Sequence, residues 1–69
     1  MKLPPPPGTK ITVFDGRRVE LGEGTLRRHE FQAERELTVY ECEEHVILAK
    51  GDHYLKVDGK IHFIRTGLA

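Results

Sequence analysis

From Thr9 onward the chain alternates short runs of β-branched and aromatic residues with turn-forming residues. The turn signals are Asp15-Gly16, Gly22-Glu23-Gly24, Gly51-Asp52 and Asp58-Gly59. Strand-length apolar runs between such turns predict an all-β barrel or sandwich rather than βαβ units. The predicted strands are 10–14, 17–21, 36–42, 45–50, 53–57 and 60–65. Asp-Gly is a strong hairpin signal because both residues tolerate the positive φ of tight turns.

The first hairpin is expected to turn through a three-residue loop with Gly16 left-handed. Ile11 then pairs near Val19 and Val13 near Arg17. Ile11, Val13, Val19 and Leu21 share one face, and Thr12, Arg18 and Glu20 the other. A two-residue loop would flip one strand and mix the faces. The segment 36–65 reads as a meander with very short turns. One face is expected to carry Leu37, Val39, Val46, Leu48, Leu55 and Val57. The opposite face would carry Tyr40, Cys42, Ile47, Ala49 and Tyr54. In the last strand Ile61 and Phe63 oppose His62 and Ile64, and the length of the Asp58-Gly59 loop decides which way each pair points. Both faces are therefore apolar, whereas a solvated antiparallel sheet alternates apolar with polar. The first hairpin can cover one face, and a second chain is expected on the other.

The segment 24–35 fits two patterns. As a helix, Thr25 is the N-cap, with Leu26, His29, Ala33 and Leu37 as the buried stripe. Against the helix, Phe31 falls off the stripe and Glu30 and Glu34 repel at i,i+4. As a strand, His29, Phe31 and Ala33 alternate with Arg28, Glu30 and Gln32.

Length bounds the rest. Sixty-nine residues suffice for one domain, and so small a chain buries only about 60 % of its unfolded surface. The expected organisation is a flexible Pro-rich N-terminal arm over 1–8 and a single β domain over 9–66. The arm's Pro4–Pro7 run favours polyproline II and offers no apolar region for a signal peptide. Hydrophobic residues make up 38 % of the chain, too many for a typical disordered tail. No apolar run approaches the roughly 18 residues of a spanning helix, so no membrane partner is expected. One cysteine excludes an internal disulfide and favours a reducing, cytoplasmic setting.

Lys and Arg number 11 and Asp and Glu 11, so the formal charge is zero. Basic residues nevertheless cluster, as Arg17, Arg18, Arg27 and Arg28, and as Lys50, Lys56, Lys60 and Arg65. Cys42 and His45 have a Cys-x-x-His spacing, but structural zinc sites pair two such clusters and only one is present. Glu41, Glu43 and Glu44 lack calcium-loop spacing and read as a solvated turn. The chain has no phosphate loop, His-Glu-x-x-His or Ser-centred elbow. Neither catalysis, a cofactor nor a metal is expected.

In outline the Asp-Gly hairpins and the length resemble SH3-like and ring-forming small barrels, an analogy that carries no function. The expected fold is an SH3-like barrel or curled antiparallel meander of five to seven short strands, with a short helix near 25–35 as the variant. The expected function is a non-catalytic protein-binding or assembly module. It would form a homo-oligomer or dock on a protein partner through Leu48, Tyr54, Tyr40 and Ile47. The alternative is a small barrel that binds RNA or single-stranded DNA through Arg17, Arg18, Arg27 and Arg28, with aromatic stacking.

Overall fold

The computed structural model describes residues 5–66. It contains β1 (Lys10–Phe14), β2 (Glu20–Gln32), a 3-10 turn (Ala33–Arg35), β3 (Leu37–Cys42), β4 (Val46–Lys50), β5 (His53–Val57) and β6 (Lys60–Ile64). The strands form one antiparallel sheet in the order β4-β3-β2-β1-β5-β6. β4 and β6 are its edges, so the sheet curls on itself without closing, and the curled form prevails over a closed barrel.

β2 makes the curl. Its first half pairs with β1, from Glu20 to Thr25. Its second half pairs with β3, from Leu26 to Gln32. The register slips between Leu26 and Arg28, and such a bulge bends a strand and increases its twist. The 24–35 segment therefore resolves as strand to Gln32, with only the 3-10 turn remaining of the helical variant. Glu36, at φ 52°, turns the chain into β3.

Gly22-Glu23-Gly24, expected as a turn, lies inside β2. The glycines are there for close approach. A Cβ on Gly24 would stand 2.9 Å from Cys42 Cβ and 2.8 Å from Glu44 Oε1. β2 passes this near to β3 only because position 24 has no side chain.

The first hairpin departs from expectation. Its loop runs from Asp15 to Val19, and the predicted strand 17–21 starts only at Glu20. Asp15 Oδ1 accepts hydrogen bonds from the N–H groups of Arg17 and Val19. Arg18, not Gly16, takes the left-handed conformation, at φ 67°. The Asp15 carboxylate thus organises a wider loop than Asp-Gly alone implies. Ile11 and Val13 face Gly24 and Gly22, while Val19 and Leu21 lie exposed instead of joining their face.

The 36–65 meander is also corrected. β4 does not pair with β5, because the chain crosses at Gly51-Asp52 to the far side of β1, where β5 pairs. The crossing reverses the expected side of β5. Leu55 and Val57 join Tyr40, Cys42, Ile47 and Ala49 in the core, and Tyr54 turns outward. Ile11, Val13 and Leu26 complete the core, with Ile64 packed against it. The Asp58-Gly59 turn spans two residues, both at positive φ, and sets Ile61 and Phe63 on the side of Tyr54.

The crossing is pinned by a buried polar pair. His53, with no exposed surface, opens β5. Its Nδ1 lies 2.9 Å from the Gly51 carbonyl, which can only accept, so Nδ1 donates. In the neutral imidazole Nε2 then accepts from the Tyr40 hydroxyl, 2.6 Å away. Of the expected flexible arm, residues 1–4 lie outside the described residues. Pro5 is buried, and the Gly8 N–H donates to the Leu26 carbonyl, so 5–8 is tied to β2.

Candidate interaction surfaces

Strand alternation sends a second set of side chains to the outer face of the sheet. On β3 and β4 these are aliphatic. Leu37 and Val39 are half-buried, while Val46 and Leu48 are exposed, Leu48 by 54 %. Val39 and Leu48 are cross-strand partners. Beside them Arg28 lies 3.2 Å from Glu30 and 3.5 Å from Glu41, both carboxylates on the same face.

On β1, β5 and β6 the outer face carries three aromatic rings together with exposed Ile61. Phe14 is opposite Tyr54, and Tyr54 is opposite Phe63. The Tyr54 and Phe63 rings lie 5.2 Å apart, centroid to centroid, tilted by 48°. The Arg18 guanidinium sits 4.9 Å from the Tyr54 ring centroid, within cation–π range. Phe63 is 53 % exposed. The sequences of these strands are Lys-Ile-Thr-Val-Phe, His-Tyr-Leu-Lys-Val and Lys-Ile-His-Phe-Ile, with no carboxylate among them. Lys10 and Lys56 share the outer face with the rings by alternation. Glu20 and Glu23 of β2 border that face, opposite Phe14 and Thr12.

Of the residues expected at a protein interface, Leu48 and Tyr54 lie on the outer face, but on different halves of the sheet. Tyr40 and Ile47 are only 4 % and 3 % exposed. They fill the chain's own core, because β5 and the curl of β2 cover the face assigned to a partner.

The four arginines do not form one patch. Arg18 stands by Phe14 and Tyr54, with Arg17 next to it. Arg27 and Arg28 follow the Thr25–Lys10 pair at the opposite end of β1. The seven steps of strand from Glu20 to Arg27 rise by roughly 20 Å. Arg28 is further engaged by its two glutamates.

Cys42 packs into the core, and burial followed by the nearby Glu44 charge pushes its thiol pKa up. The Cys42 N–H donates to the His45 carbonyl across the turn. Among the described residues no three His, Cys, Asp or Glu side chains are placed to share a metal ion. Glu44 instead accepts from the Thr25 N–H at 2.9 Å and the Thr25 hydroxyl at 3.2 Å, and the backbone bond holds its carboxyl below the ordinary value.

A cleft of about 400 Å³ opens onto the inner face, lined by His29, Phe31, Thr38, Tyr40, Leu55 and Ile64, with Pro5, Arg65 and Thr66 also bordering it. The Thr38 hydroxyl is buried there without a hydrogen-bond partner. No helix among the described residues is long and apolar enough to cross a membrane.

No family model matches the chain, and neither a curated protein nor a solved structure does.

Each strand of the aromatic strip carries its ring visibly in the sequence, and so is the lack of carboxylates. What pattern reading missed is that β1 and β5 are neighbours, which alone brings Phe14 to Tyr54.

Proposed function

We propose that this chain is a non-catalytic assembly module, and that two copies associate through β4. The observation that carries the reading is the character of this edge strand. β4 pairs on one side only, with β3, and its outward side chains Val46 and Leu48 are more than half exposed. It contains no proline and no inward-pointing charge, and of the charged residues that ordinarily protect an edge it has only Lys50, at its last position. A second β4 laid alongside would continue the sheet and join the two Val46–Leu48 stripes, with Leu37 and Val39 behind them.

Size-exclusion chromatography with light scattering tests this on the full chain. The expected result is a dimer or larger species that Leu48→Glu converts to a folded monomer. The Leu48 side chain is outside the core, so the variant is expected to retain its far-UV circular dichroism. A wild-type monomer at high micromolar concentration, unchanged by Leu48→Glu, would overturn the reading.

A further inference from the structure

We propose that the outer face of β1, β5 and β6 binds single-stranded nucleic acid. Bases would stack on Phe63 and Phe14, on either side of a Tyr54 ring that the Arg18 guanidinium covers, and phosphates would pair with Arg18, Lys10 and Lys56.

Three observations converge on this ligand. The rings stand in cross-strand register on three adjacent strands, one per strand. Strands lie about 4.8 Å apart, so the strip offers platforms to about two nucleotides. The face differs from that of β3 and β4, where the outward apolar side chains are all aliphatic, in carrying three rings beside Ile61. One exposed ring, Phe63, beside the half-buried Phe14 and Tyr54 matches a ligand that itself presents π-faces, and unpaired bases do so where a duplex does not.

The charge is complementary as well. The chain is neutral overall, with 11 acidic residues, yet none falls on these three strands. The net neutrality is made up elsewhere, on β2, on β3 and in the turns. Arg18 and Lys56 beside the rings, and Lys10 about 13 Å further along β1, can pair with phosphate.

The third observation is Arg18. A non-glycine residue at φ 67° is strained, and such strain persists where surrounding structure holds it. Here the Asp15 carboxylate fixes the loop and the guanidinium rests against Tyr54. The arginine, an exposed residue, is thereby held at the edge of the aromatic strip. Glu20 and Glu23 border the strip on the β2 side and moderate the attraction.

Fluorescence anisotropy of the full chain with labelled oligo-dT and oligo-U, beside a duplex of equal length, tests the proposal. Binding to both single strands in preference to duplex is expected. With three phosphate contacts the salt slope is about −2, so affinity falls about twentyfold between about 50 and about 200 mM salt. Phe63→Ala removes an exposed ring and should weaken binding about tenfold or more while leaving the melting temperature near wild type. Arg18→Gly relieves the positive φ, so it should keep the fold while weakening binding and making the salt slope shallower by about 0.7. Glu23→Lys should tighten binding. Absence of binding at low salt overturns the proposal. So does duplex binding equal to single-strand binding, insensitivity to Phe63→Ala in a folded variant, or equal competition by a poly-glutamate peptide.

Discussion

Replacing Tyr40 by Phe removes one oxygen atom from the structure and tests how the two halves of the sheet are held together. β4 and β5 are consecutive but unpaired, so no backbone ladder joins them where the chain crosses. The Tyr40 hydroxyl, 2.6 Å from His53 Nε2, ties β3 to β5 at that point. In Tyr40→Phe the ring still fills its place, and the imidazole nitrogen is left buried without a partner. An orphaned buried polar atom costs about 1–3 kcal/mol. A chain of this length has about 3–10 kcal/mol of stability in total, so the loss is a large share. At about 4–8 °C per kcal/mol, the melting temperature should fall by about 5–20 °C. Thermal and urea unfolding followed by circular dichroism, at one fixed protein concentration, measures it.

The buried phenol also has a signature in alkali. Burial pushes the Tyr40 phenol from 10.0 up to about 12. Its folded-state value is raised, so the contribution is complete below pH 10 and is lost as pH rises toward 12. Wild type should therefore lose more stability across that window than Tyr40→Phe does. Removing both partners, as in Tyr40→Phe with His53→Leu, should recover part of the single-variant loss, because neither polar group is then stranded. A Tyr40→Phe protein that melts within about 2 °C of wild type would refute the reasoning.

Thr38→Val deletes a buried hydroxyl that has no partner and keeps the shape of the side chain, so it should raise stability by about 1 kcal/mol in urea titrations. Gly24→Ala places a methyl group 2.9 Å from Cys42 Cβ and should destabilise by about 1–3 kcal/mol, while alanine at exposed Ala33 is already accommodated. The Glu44 carboxyl is held low chiefly by the Thr25 backbone N–H, so its contribution is present above the ordinary value of 4.5 and is lost as pH falls below it. Acid titration of the melting temperature should accordingly be shallower in Glu44→Gln than in wild type.

Much of the local structure was legible in the residues. β1 and β5 match their predicted bounds, and β3, β4 and β6 differ from theirs by a single residue at one end. Asp58-Gly59 closes the hairpin its residue types imply. These features depend on neighbours a few positions apart, where alternation and turn chemistry act directly. The misreadings came where a residue type has more than one use. Gly22 and Gly24 carry the marks of a turn, but serve a close strand contact that only the position of Cys42 and Ile47 reveals. Asp15 signals a short turn, yet its side chain holds a wider one.

The sequence by itself determined an antiparallel β domain with apolar residues on both faces of its later strands, because side-chain alternation is a property of each strand alone. The tertiary structure decided which face became core and which became surface. That choice turns on β5 pairing with β1 instead of β4, a contact between residues some forty positions apart. No local pattern encodes it. It follows from the bend in β2 and from the burial of His53 at the crossing, and it set Tyr40 and Ile47 inside while leaving Phe14, Tyr54 and Phe63 together on the outside.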